Sequence, residues 1–172
     1  AMLGCVVVCL PLVGSAITLH VDCDLGSDGN SGGSWSSALQ TVSHAYDRGQ
    51  TLLLNPNDTL EIRVAEGNCQ DNIRAEKSPL RLLGGFVNGT QQGHTSIEPA
   101  APNQSILSSR TAIEIDSVWF ENGHAANGAG IDSFNGSLTV RRCQFNGNRA
   151  TNYGGAIEFQ AANDPTGPML TV

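Results

Sequence analysis

The feature that most restricts the fold of this chain is a repeat in its C-terminal third. Ile113-Glu-Ile115-Asp-Ser-Val118-Trp-Phe120 and Leu138-Thr-Val140-Arg-Arg-Cys143-Gln-Phe145 align at a constant offset of 25. Four apolar positions then coincide: Ile113 with Leu138, Ile115 with Val140, Val118 with Cys143, and Phe120 with Phe145. Both segments run on through Asn and Gly to a glycine-rich strand, Gly128-Ala-Gly-Ile131 and Gly154-Gly-Ala-Ile157, the second with one extra residue before its isoleucine. Leu170-Thr171-Val172 repeats Leu138-Thr139-Val140 after a longer loop holding Asp164-Pro165 and Gly167-Pro168. A period near 25 with short strands and no internal helix is neither an ankyrin nor a tetratricopeptide pattern, and the LxxLxL of a leucine-rich repeat is absent.

So short a unit cannot bury its own apolar face, but successive units stacked on one another share a continuous core. The expected fold is therefore all-β, a right-handed parallel β-helix with an N-terminal capping loop and short helix. Each residue would sit about 4.8 Å from its counterpart in the next unit. The four matched pairs would point inward, with Phe120 against Phe145. Asn127 over Asn152 would form an asparagine ladder.

Upstream of the repeat, Val21 to Trp35 is rich in Asp, Gly, Ser and Asn and reads as a loop. Ser36 or Ser37 caps a helix to about Asp47, with Leu39, Val42, Ala45 and Tyr46 on one face and Gly49 ending it. Leu60 to Ala65 alternates as a half-buried strand does. Leu80 to Phe86 is a second strand, broken at a glycine pair, and Ser105 to Ser108 a third. Residues 1–16 are apolar and end in small residues, Gly14 and Ala16, as a secretory signal peptide does. Residues 17–58 then form the N-terminal cap and residues 59–172 the β-helix. Leu170 to Val172 reads as the start of a further unit, so the coil is expected to be incomplete at its C-terminal end and the isolated chain to self-associate through an uncovered edge.

Phe145-Asn-Gly-Asn148 and Gly154-Gly155-Ala156-Ile157 carry the paired FxxN and GGAI motifs of the chlamydial polymorphic outer membrane protein repeat, and the chain resembles that family. The earlier copy departs from both motifs, as Phe120-Glu-Asn-Gly123 and Gly128-Ala-Gly-Ile131. Val21 to Val42 and Leu82-Leu-Gly-Gly-Phe86 are similar to the entry segments of exported pectin-lyase-like β-helices. The resemblance implies a secreted or outer-membrane, cell-surface scaffold like an autotransporter passenger, working in adhesion or protein interaction. Its partners would be host or neighbouring surface proteins or glycans, and membrane association would come only through a C-terminal region outside this chain. The alternative is a polysaccharide lyase or hydrolase with its active site on later turns.

Composition narrows the partners further. The net charge is −7, and of the nine basic residues only Arg141 and Arg142 are adjacent. Nucleic acid and anionic membranes need clustered cations and are not expected partners. Asp22, Asp24 and Asp28, with Gly29 and Asn30, offer oxygen ligands of the kind calcium takes. Trp35, however, stands where a closing glutamate would be, and the same residues are those of an ordinary turn-rich loop. Asp116 and Arg141, 25 apart, would be neighbours on adjacent strands: half of a lyase site, or more plainly a structural surface pair. His20, His44, His94 and His124 show no metal or catalytic spacing. Trp35 and Trp119 are candidates for stacking on sugars. Sequons occur at Asn57, Asn88, Asn103 and Asn135. Of the cysteines outside the signal segment, Cys23 and Cys69 have no assigned pairing, and Cys143 reads as a small inward residue rather than a nucleophile. No catalytic, cofactor-binding or metal residue is assigned, and no cofactor is expected.

Overall fold

The computed structural model describes residues 16–53, 55, 58–161 and 169–172. The segment read as a signal peptide, residues 1–16, lies outside these residues except for Ala16, which opens the first strand, and the loop holding Asp164-Pro165 and Gly167-Pro168 lies outside them too. The protein is all-β in character, mostly strand in parallel sheets, with little helix. The first sheet runs β1 (Ala16–Val21), β2 (Thr59–Ala65), β5 (Leu80–Val87), β9 (Ile113–Asp116), β13 (Leu138–Arg141) and β17 (Leu170–Thr171), with the short β6 (Thr90–Gln91) antiparallel on β5. The second holds β3 (Gly67–Gln70), β7 (Thr95–Glu98), β10 (Val118–Glu121) and β14 (Gln144–Asn146). The third holds β4 (Ile73–Ala75), β8 (Leu107–Ser109), β12 (Ile131–Phe134) and β16 (Ile157–Gln160). A two-stranded sheet pairs β11 (His124–Asn127) with β15 (Arg149–Tyr153). From β2 onward the chain visits the first, second and third sheets in that order and then returns to the first.

Register follows the repeat. Leu138 pairs with Ile113, Val140 with Ile115, and Phe145 with Phe120, all in parallel. The Phe120 and Phe145 rings are stacked at 5.3 Å between centroids and 10° between planes. Leu170 pairs with Leu138 as the Leu-Thr-Val match predicts. The inward rows extend beyond the visible repeat: Ile17, Leu60, Leu80, Ile113 and Leu138 form one, and Leu19, Ile62, Leu82, Ile115 and Val140 the next. Burying rows of aliphatic side chains at about 25 cal/mol per Å² of apolar area is what offsets the entropy of ordering these strands.

The outward side chains of the first sheet form an ionic row of alternating sign. Arg81 bonds Glu61 at 2.7 Å and Glu114 at 3.2 Å, Arg63 bonds Glu61 at 2.7 Å, and Arg141 bonds Glu114 at 2.9 Å. Glu61 is buried, so it needs both of its arginines. Corners between strands recur at the repeat offset. Ser117 (φ +57°) and Arg142 (φ +49°) occupy one, Asn122 (φ +59°) and Gly147 (φ +64°) the next. The last Asn of the FxxN motif ties one corner to the preceding one. Asn148 donates to Phe120 O at 2.7 Å and accepts from Gly123 N at 2.8 Å.

Three local expectations are corrected. The helix, α1, is Val42–Leu52; Thr41 caps it by accepting from His44 N, while Trp35–Ser37 is a separate 3₁₀ segment. The buried face is the expected one, with Val42, Ala45 and Tyr46 packed over the strands, but Gly49 lies inside the helix. A Cβ there would come within 2.4 Å of Leu60 Cδ2, so glycine is required for close approach of α1 to β2, not for termination. Asn127 pairs with Tyr153 and not with Asn152, because the extra residue of the second copy is absorbed as a register shift between β11 and β15.

Candidate functional site

Two of the three aspartates of the loop after β1 are taken up by hydrogen bonds, mostly from backbone N–H groups. Asp22 Oδ1 accepts from Asp24 N and Leu25 N, and Asp28 accepts from Gln40 N, Thr41 N and the Thr41 hydroxyl at 2.9–3.0 Å. These are the bonds of a turn and of a helix entry. Trp35 packs edge-on to His20 of β1 and against Phe86 of β5. Cys23 and Cys69 form a disulfide with Cα atoms 5.4 Å apart. The Cys143 thiol remains free and is pushed up in pKa by burial, which favours the unreactive thiol over the thiolate.

Asp116 and Arg141 are in register on adjacent strands, as expected, but they do not pair. Arg141 reaches Glu114, whereas Asp116 is gripped at both oxygens by Arg142, Nε and Nη2 each at 2.7 Å. The left-handed φ of Arg142 bends the chain at the corner and returns the guanidinium over the preceding strand. Asp116 is also largely buried, not solvent-facing. Arg142 holds its carboxyl below the ordinary value, with burial opposing and the Ser117 hydroxyl assisting. A double-mutant cycle on stability should therefore give a larger coupling for Asp116 with Arg142 than for Asp116 with Arg141. The coupling present near neutral pH should fade as pH falls through the depressed carboxyl value.

Around Arg142 lies a cleft of about 320 Å³ that also takes in Gln91, Gln92, His94, Ser117 and Trp119. The His94 and Trp119 rings are stacked, 3.4 Å between centroids and 12° between planes. Arg142 Nη2 additionally bonds Gln91 Oε1, and Gln91 Nε2 donates to Gly84 O, so these polar groups are held in place.

The third sheet carries a second cluster. Its outward row is Arg74, Ser108, Asp132 and Glu158 in direct register. The first three line a cleft of about 260 Å³ with Asn72, Gln104 and Asn127. Burial, then the negative Glu158, raises the Asp132 carboxyl, and Arg110 opposes them. Glu158 is 8% exposed; Gln160 satisfies its Oε1, while Oε2 has no hydrogen-bond partner among the described residues. The sequence held a signal for this pair, since each carboxylate directly follows the matched isoleucine of its copy, Ile131 and Ile157. The linkage has a definite sign. Between its unfolded value of about 3.9 and its raised folded value, Asp132 keeps a proton in the folded state that the unfolded chain releases, so stability falls as pH rises through that window. Asp132→Asn should flatten this slope. Urea midpoints of both proteins from acid to neutral pH are the check, and parallel curves would contradict the assignment.

Compared with known protein families, curated proteins and solved structures, the chain finds no match.

Proposed function

We propose that the three sheets are the faces of one right-handed parallel β-helix, closed at one end by α1 and the disulfide-tied loop, and that it is an exported surface scaffold for adhesion or protein interaction. The observation that carries the reading is the recurrent path of the chain, from first to second to third sheet and back, in parallel register apart from the short β6. Crossovers between parallel strands of one sheet are right-handed in the great majority of cases, which favours that hand here. α1 packs on β1, β2 and β4, where a β-helix otherwise exposes core and strand edges. The Cys23–Cys69 bond fits an oxidising compartment outside the cytosol. Together with the FxxN and GGAI motifs, these features favour a relative of the polymorphic outer membrane protein repeats, with surface proteins or glycans as partners. The test is display: cells producing the protein with its own leader should expose it to added protease and gain adherence to a host-cell layer. Retention inside the cell would sink the reading.

A second reading, cleavage of a polysaccharide, has one observation in its favour. Asp132, biased toward the protonated acid, stands beside Glu158 on the neighbouring strand. A carboxyl group held toward its acid form beside a second carboxyl group is what glycoside hydrolysis employs. Screening against acidic and neutral polysaccharides, with and without calcium, separates the two. Chain scission abolished by Asp132→Asn would establish the enzyme and displace the scaffold.

A further inference from the structure

We propose that the cleft between Trp119 and Arg142 binds a neutral pyranose unit of a glycan chain. The inference rests on the surface-scaffold reading and names the ligand for one of its faces. At about 320 Å³ the cleft is at the small end of the range of about 300–1,000 Å³ for small-molecule sites. That suits a sugar unit better than a folded partner. Its lining is two stacked rings, side-chain amides, a hydroxyl and a guanidinium, and among the described residues it includes no aliphatic side chain. An apolar peptide side chain would find few partners there. A pyranose ring offers what this lining can use, a face of C–H groups for the aromatic wall and a rim of hydroxyls that both donate and accept.

The Arg142 guanidinium is pre-set. Two bonds to Asp116 and one to Gln91 fix the Arg142 plane, and they engage Nε and Nη2 only. Nη1, which makes no hydrogen bond to the described residues, is a donor to a ligand hydroxyl. Gln92 is exposed, and its side chain makes no hydrogen bond among the described residues, so it supplies both a donor and an acceptor at the rim. Fixed donors bind without further loss of side-chain entropy.

Charge selects against acidic sugars. Arg142 is offset by Asp116 in a two-point pair. The permanent cation of the cleft is therefore paired, and the chain as a whole carries −7. A carboxylate-bearing sugar meets no uncompensated positive charge there to offset its desolvation.

The experiment is calorimetric titration of the purified chain with cellotetraose, maltotetraose and mannotetraose, with tetragalacturonate as the charged comparator. At least one neutral tetrasaccharide should bind with Kd of about 1 mM or tighter. Trp119→Ala should abolish that binding. Gln92→Ala, an exposed change that leaves the fold intact, should weaken it several-fold. Absence of binding by all three neutral sugars, tighter binding of tetragalacturonate, or unchanged affinity in Gln92→Ala would overturn the proposal. Because the titration uses free sugar and purified protein, its failure counts against this site and not against surface display, which protease exposure and adherence test separately.

Discussion

Replacing Phe120 with alanine is expected to lower the free energy of unfolding by about 3–5 kcal/mol, the range for truncating a fully buried phenylalanine. Phe120 is fully buried, and neighbours in register enclose it on both sides, Ile97 from β7 and Phe145 from β14. Parallel strands held by ladder hydrogen bonds cannot close up around a missing ring, so the vacated space persists as a cavity. The same substitution at Phe145 should cost clearly less. Phe145 packs against the core but is only partly buried, so part of its surface is already in water. The sequence repeat makes the two phenylalanines equivalent, whereas the structure ranks them. Urea unfolding of the two single mutants decides the matter through the shift in midpoint at unchanged slope. Equal losses would mean that Phe145 is covered by something the structure does not show.

That contrast illustrates what the chain makes legible. Parallel strands in register convert a constant sequence offset directly into spatial neighbours, so Ile113 with Leu138, Ile115 with Val140 and Phe120 with Phe145 could be read from spelling alone. The same row continues through Leu60, Leu80, Ile113, Leu138 and Leu170, but there the spacings vary, being shortest from Leu60 to Leu80 and longest from Leu80 to Ile113. Loops of different length between strands erase the period without disturbing the register, which is why the upstream half showed only isolated strand candidates. Ion pairing was legible only to the level of the strand. Register set Arg141 beside Asp116, but the corner conformation of Arg142 decided which arginine takes the carboxylate. Nor does periodicity register backbone capping. Asp28 bonds the chain just before α1 and Thr41 supplies the cap, so the helix begins several residues later than Ser36 or Ser37 would have it. The clefts draw residues from three or four segments, such as Gln91, Ser117 and Arg142, and only the loop and corner geometry brings those together.

Breaking the Cys23–Cys69 disulfide should destabilise the protein by about 4 kcal/mol, the chain-entropy value for a loop of this size. The two cysteines are 46 residues apart in sequence, and the segment between them contains α1, β2 and the loop after β1. Without the bond the unfolded chain regains the freedom of that whole loop. In the folded state Cys69 is buried on β3 among the core residues, while Cys23 lies two residues beyond the end of β1. The bridge therefore joins the second sheet to the outermost described strand of the first. For a domain of this length about 4 kcal/mol corresponds to a fall in Tm of about 8–16 °C. Cys23→Ser is the cleaner variant, because it breaks the bond and leaves the Cys69 side chain in its packed position. The loss should also be local before it is global. Amide exchange should accelerate first in β1 and α1, which depend on the bridged loop, and last in β9 and β10, which have parallel neighbours on both sides. A Cys23→Ser protein that melts within a degree or two of the oxidised parent would show that packing of α1 on β1, β2 and β4 alone holds this end of the molecule. Uniform acceleration across all strands would show instead that the protein opens as one cooperative unit, with no weaker end for the disulfide to secure.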